Sequence, residues 1–200
     1  MADHAGALLA SLSKANLLGP AGSAADIIPA NFQPSTQLRI SFGPEKPVSL
    51  GTFVRAGEAK PTPSVSFSAL QDGGAGGGDD KTYLFMMIDP DAPTPAEPKF
   101  AYWRHYVVSG LRPGGDGEGR TLTEYLAPGP GEQSGPHRYL FLLFEEPAGG
   151  LGGLTKEDVG GEEFVQRRSF KAADFVARHG LKLAGVEWMT CAWDGYKHAE

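Results

Sequence analysis

Cysteine is all but absent: Cys191 is the only one in 200 residues, so no disulfide can form within the chain. That fits a reducing compartment. Positive charge is also scarce. The 18 Lys and Arg stand against 24 Asp and Glu, a net charge of −6. This gives no footprint for nucleic acid and argues against strong attraction to an anionic membrane. Long apolar runs are missing too, since none approaches the roughly 20 residues that span a bilayer. The opening residues, MADHAGALLA, carry Asp3 and His4 but no Lys or Arg, unlike the basic start of a secretory signal. Together these absences predict a soluble, cytoplasmic protein.

Turn formers are plentiful. Gly (28) and Pro (16) make up more than one residue in five, which predicts many turns and long loops. The length suits a single domain over residues 1–200, and a chain of this size buries roughly 70% of its unfolded surface. Within it, residues 1–30 read as an N-terminal helical arm. Leu8, Leu9, Leu12, Ala15 and Leu18 recur at helical spacing over 3–18, with Asp3 as cap and Gly19-Pro20 as stop. The glycines of LQDGGAGGGDD, residues 70–80, predict a flexible loop. No GK[ST] follows them, so this is not a phosphate loop.

Strand signals dominate the rest. LRISF and SVSFSA alternate apolar and polar residues, as half-buried antiparallel strands do. YLFMMI (83–88) and YLFLLF (139–144) do not alternate and suit central strands covered on both faces. HYVV (105–108) and LKLAGVEWMT (181–190) add two more, and SFKAADFVARHG (169–180) predicts a helix capped by Ser169 and stopped by Gly180. The expected class is mainly β with peripheral helices.

The segment DPDAPTPAEPKFAYWRHYVV (89–108) places Asp89 and Asp91 just past a core strand, in a loop stiffened by prolines at 90, 93, 95 and 98. Asp-Pro pairs are ordinary turn starters, so the acids alone mark no site. Trp103 and His105 lie two apart on a strand and share a face, with Tyr102, Arg104 and Tyr106 on the other. SGPHRYLFLLF repeats the device: His137 and Tyr139 share a face, opposite Arg138. Two His and two Asp could bind a divalent metal, but no HxxxH or HExxH spacing supports one. Ser134 sits in no nucleophile elbow, and Cys191 lacks a catalytic signature. The remaining chemistry is an anion pocket with apolar walls. In it Asp89 supports His105 or His137 and favours the charged imidazole, so that anion affinity falls as pH rises through a raised histidine pKa.

DPDAP (89–93), Trp103, His105 and GPGEQSGPHRY (129–139), in this order, resemble the phosphatidylethanolamine-binding protein family over about residues 32–196. GPAGSAADIIPANFQPSTQLRISF and GPHRYLFLLFEEP resemble its carboxypeptidase Y inhibitor branch. The resemblance implies a large antiparallel sheet packed on a smaller one, with peripheral N- and C-terminal helices. It implies an anion pocket of Asp89, Asp91, Pro93, Trp103, His105, Pro130, His137 and Tyr139. Tyr196 stands where a late pocket tyrosine could fall and is not counted among them. Arg104, where many relatives carry a second histidine, is expected to point away.

The resemblance further implies a non-enzymatic regulator with no cofactor, no metal and no catalytic residue. Its partners would be a phosphate or phospholipid head group and a serine carboxypeptidase, the N-terminal arm engaging the protease. On that view, deleting residues 1–18 abolishes inhibition and spares the pocket. A phospholipid carrier, a modulator of kinase or GTPase signalling, and a weak hydrolase using the His/Asp cluster are the alternatives. A peripheral membrane contact and a vacuolar or membrane-associated location are further expectations.

Overall fold

Two strands without alternation set the architecture. The structure, a computed structural model, describes residues 4–70, 81–115 and 119–197. In it β5 (Tyr83–Asp89) is buried at every position, and β8 (His137–Glu145) at all but two. Both lie in the middle of a six-stranded sheet. Its order is β3 (Thr52–Arg55), β9 (Lys182–Ala192), β8, β5, β6 (Trp103–Leu111) and β7 (Arg120–Thr123). The pairings are antiparallel except at one edge, where β3 runs parallel to β9.

Each face of this sheet has its own core. The even-numbered residues Leu84, Met86, Ile88, Leu140, Leu142 and Phe144 meet the helices and the N-terminal segment. The odd-numbered residues Tyr83, Phe85, Met87, Tyr139, Phe141 and Leu143 meet a second sheet. Burial on both faces removes any reason for alternation. The second sheet, ordered β2 (Pro47–Val48), β1 (Thr36–Ser41), β4 (Ser64–Ala69), has one wet face and does alternate: Leu38, Ile40 and Phe67 point inward. Large and small sheets, face to face, are the expected arrangement. Gly51 turns the chain into β3 at φ +89°, and a Cβ there would meet the Trp188 ring at 2.5 Å.

The helices are shorter than their periodicity predicts. Helix α1 spans His4–Lys14. It ends before Gly19-Pro20 because Asn16 takes the left-handed conformation (φ 53°) and a Schellman motif forms, with Leu17 N–H bonded to Leu12 O and Asn16 N–H to Ser13 O. Asp3, its expected cap, and residues 71–80 of the Gly-rich segment lie outside the described residues. Helix α1 is docked on the body, with Leu8 and Leu12 buried in the core and Leu17 joining them from the segment that follows. Each such side chain contributes about 1.5–3 kcal/mol. Helix α2 spans Ala172–Arg178 and starts after Lys171, not Ser169, which sits at φ 51° with its N–H bonded to Phe100 O.

One carboxylate opposes the core it sits in. Glu187, on β9, is 2% exposed; Oε2 accepts from the Leu50 N–H at 3.3 Å, and Oε1 has no partner. Burial raises its pKa from 4.5 to about 7. The folded state therefore keeps this proton where the unfolded chain releases it. The associated stability is present below pH 4.5 and lost as pH rises through about 7, on the order of 3 kcal/mol. Glu187→Gln removes that loss. Denaturant midpoints should show the variant gaining on wild type between pH 5 and pH 8; a constant difference would contradict this account.

Candidate ligand cavity

The site begins in the turn after β5. Asp89 Oδ1 accepts the backbone N–H of Asp91 at 2.6 Å, an Asx-type bond that fixes the turn around Pro90. Asp89 Oδ2 accepts the Nδ1–H of His137 at 2.8 Å. Asp89 thus holds an imidazole, and of the two candidates it is His137. Asp91 goes elsewhere. Its carboxylate takes the Arg138 backbone N–H at 2.7 Å, Nε at 2.9 Å and Nη2 at 2.5 Å. Arg138 Nη1 then donates to the carbonyls of Ala15 (2.7 Å) and Asn16 (3.2 Å), at the end of α1. Neighbouring residues of β8 point to opposite faces, so His137 serves the site and Arg138 serves the helix.

A bulge in β6 supplies the second histidine. Ile88 pairs with Arg104 and Met87 with Tyr106, which leaves His105 as the extra residue. Bulges re-aim side chains, and this one does so. Tyr106 packs in the inter-sheet core, on the His105 side of the sheet, where simple alternation predicts the opposite face. Arg104 does turn away and is fully buried, with Nε donating to Thr123 Oγ1 at 2.8 Å. Arg167 steadies the bulge by donating to the carbonyls of His105 (3.2 Å) and Glu124 (2.8 Å).

Between these elements lies a cavity of ≈ 520 Å³, within the usual range for small-ligand sites. Asp89, Pro93, Trp103, His105, Pro130, His137 and Tyr139 all line it. Of the eight residues expected there, Asp91 is the exception, because Arg138 holds its carboxylate on the α1 side. Tyr196 is not in the lining either; its ring lies 6.0 Å from that of Phe53. The structure adds walls that spacing did not reveal: Phe100, Leu126, Ala127, Phe164 and Arg168. The last two flank a short 3-10 turn, Phe164–Arg167, about 60 residues beyond Trp103. An exposed Phe beside an Arg was a weak signal, readable only once this turn is known to face the loop.

Protonation differs from the expectation for one ring. His105 is 4% exposed, and its Nδ1–H donates to Leu126 O at 2.7 Å. Burial lowers its pKa despite the nearby Asp89 carboxylate, so a neutral ring is favoured. Burial, with the Asp89 charge, holds the Tyr139 hydroxyl well above its ordinary value, as a donor. The Cys191 thiol is pushed up to about 12 by burial, which leaves it inert at neutral pH. Ser134 Oγ donates to Gly131 O at 2.9 Å and lies outside the lining. Among the described residues, no group of three or more His, Cys, Asp or Glu is placed to hold a metal ion.

A six-stranded and a three-stranded sheet face to face, flanked by helices and opening at one end into this cavity, define the fold class. The chain belongs to the phosphatidylethanolamine-binding protein family, whose sequence profile matches residues 30–188. Among solved structures, it is similar to a carboxypeptidase Y inhibitor crystallised with its cognate proteinase. That likeness has 24% identity and a TM-score of 0.81, and covers 96% of this chain and 98% of the inhibitor. It is also similar to the phosphatidylethanolamine-binding protein of Plasmodium vivax, at 23% identity and TM-score 0.69, over 93% of this chain and 97% of the other. The Plasmodium falciparum protein gives 21%, 0.67, 92% and 96%. These likenesses establish the fold.

The Asp91–Arg138 pair ties the loop, β8 and α1 together. Asp91→Asn leaves a partly buried guanidinium without its counter-charge and should cost about 2–3 kcal/mol. In a chain of this length that corresponds to a drop of roughly 5–10 °C in Tm. Amide exchange in α1 should accelerate with it. Unchanged exchange in α1 alongside a lower Tm would mean that the pair does not anchor the helix.

Proposed function

We propose that this protein is a non-enzymatic regulator that binds a small anion in the cavity and inhibits a serine carboxypeptidase. The observation that carries the ligand half is a set of buried polar atoms in one lining. Trp103 Nε1, His137 Nε2 and Arg168 Nε make no hydrogen bond among the described residues. An unmet buried polar group costs about 1–3 kcal/mol, and an anion offsets that cost by accepting from the Trp103 and Arg168 N–H groups, and from His137 Nε2 when that ring carries both protons. Pro93, Trp103 and Pro130 supply apolar walls, while Asp89 is engaged by the Asp91 N–H and by His137. Phosphate, free or as a phospholipid head group, suits this chemistry. Cys191 and Ser134 lie outside the lining. No long apolar groove for a whole lipid is part of the reading.

Support for the protease half is the likeness, over 96% of the chain, to an inhibitor of carboxypeptidase Y. We read residues 1–200 as one domain and place the protein in the cytoplasm, with a vacuolar pool or a peripheral membrane contact as extensions of the same view. Removing residues 1–18 is no longer a clean probe, since it strips Leu8, Leu12 and Leu17 from the core and takes away the carbonyls bonded by Arg138.

His137→Asn is the cleaner variant. Its amide can replace the Nδ1–H to Asp89 while removing Nε2. Calorimetry with inorganic phosphate should show a loss of roughly 10- to 100-fold in affinity at a Tm near wild type. In parallel, the wild-type protein should inhibit a serine carboxypeptidase of the carboxypeptidase Y type and release no phosphate from p-nitrophenyl phosphate. Lack of inhibition removes the protease half. Turnover that His137→Asn abolishes would favour the hydrolase instead.

A further inference from the structure

Among the described residues, Arg168 is the one Lys or Arg in the cavity lining. Three rings hold its guanidinium: Cζ lies 4.6 Å from the centroid of Phe100, 5.6 Å from Trp103 and 5.7 Å from Phe164. Trp103 and Phe164 meet edge to face at 4.9 Å. Stacking of this kind fixes the cation without neutralising it. Its Nε, buried and without a partner among the described residues, is left as an obligate donor. His105, by contrast, spends its Nδ1–H on Leu126 O and offers no permanent charge.

Phe164 is 58% exposed, an unusual place for a large ring on a short turn. It stands at the cavity beside Trp103, with one face turned to solvent. The cavity of ≈ 520 Å³ is also far larger than a bare tetrahedral oxyanion of five heavy atoms requires. Size and lining therefore point to a ligand with a body as well as a charge.

We infer that Arg168 supplies a permanent counter-charge for the bound anion, and that Phe164 stacks on a flat ring carried by it. The ligand class is thus a ring-bearing phosphomonoester. The inference rests on the reading of the cavity as an anion site. Trp103 Nε1 and Arg168 Nε donate to the phosphate oxygens, while the ring lies against Phe164 at the rim. A donor fork with fixed orientation suits a tetrahedral oxyanion better than a mobile ammonium does.

The test compares phenyl phosphate with methyl phosphate, two monoesters of like charge, by calorimetry on the full chain. Wild type should prefer phenyl phosphate by up to roughly tenfold, the scale of one aromatic contact. Arg168→Gln should weaken both ligands tenfold or more, since a charge-assisted contact is lost. Phe164→Ala, at an exposed position, should bring the ratio of phenyl to methyl phosphate affinity to about one, whatever it does to the affinity that both esters share through Arg168. If wild type binds both esters and Arg168→Gln binds them equally well, the assignment of Arg168 is wrong while the anion site stands. Equal affinity of wild type for the two esters overturns the ring. If wild type binds neither ester, the anion reading itself fails, and this inference with it.

Discussion

Two carboxylates two residues apart grip two successive residues of β8, and the rest of the site hangs on that grip. Asp89 takes His137 and Asp91 takes Arg138. The two basic residues project to opposite sides of the sheet. One short turn therefore sets the imidazole on the cavity side and, on the other, the guanidinium that bonds the end of α1. Water is excluded from both acids, at 3% and 1% exposure, so each bond acts in a medium that strengthens it and that makes its loss costly. The prolines around the turn narrow the alternatives that folding must discard.

This arrangement separates two tasks that the residue types alone would confuse. Asp89 and His137 look like a general base and its orienter, yet the carboxylate already accepts from a backbone amide and an imidazole. The second histidine is turned into the site by a bulge and held neutral by burial. What remains facing the cavity is a set of donors and apolar walls, with the permanent charge supplied from a different segment, at Arg168. Belonging to the phosphatidylethanolamine-binding protein family accounts for the scaffold; the charge and rings at the rim are read from this chain's own residues.

Much of this was legible in the sequence because it is local. The fully apolar runs at 83–88 and 139–144 announce central strands, and i, i+2 spacing puts His137 and Tyr139 on one face wherever the strand lies. DPDAP and GPGEQSGPHRY carry the two halves of the cavity. Features that depend on a distant partner were not legible. The bulge at His105 reflects register against β5, so alternation misplaced Tyr106. Asp91 looked like a second site acid because its partner, Arg138, lies 47 residues away. Ser169 resembles a helix cap in composition, but its N–H is used by Phe100 O. The apolar stripe of α1 is local as well, and Leu8 and Leu12 on it dock the helix in the core.

The 3-10 turn at Phe164–Arg167 meets the large sheet through Arg167, which is buried and bonded to the main chain of β6, whereas Phe164 and Val165 stand 58% and 62% exposed. Scaffold and rim are thus carried by neighbouring residues with different obligations. A lineage can alter the residues at 164 and 168 without disturbing a strand, a core layer or the paired acids. The fold is in this sense a fixed socket with a replaceable collar, and divergence among such proteins in what they recognise can accumulate at the collar alone.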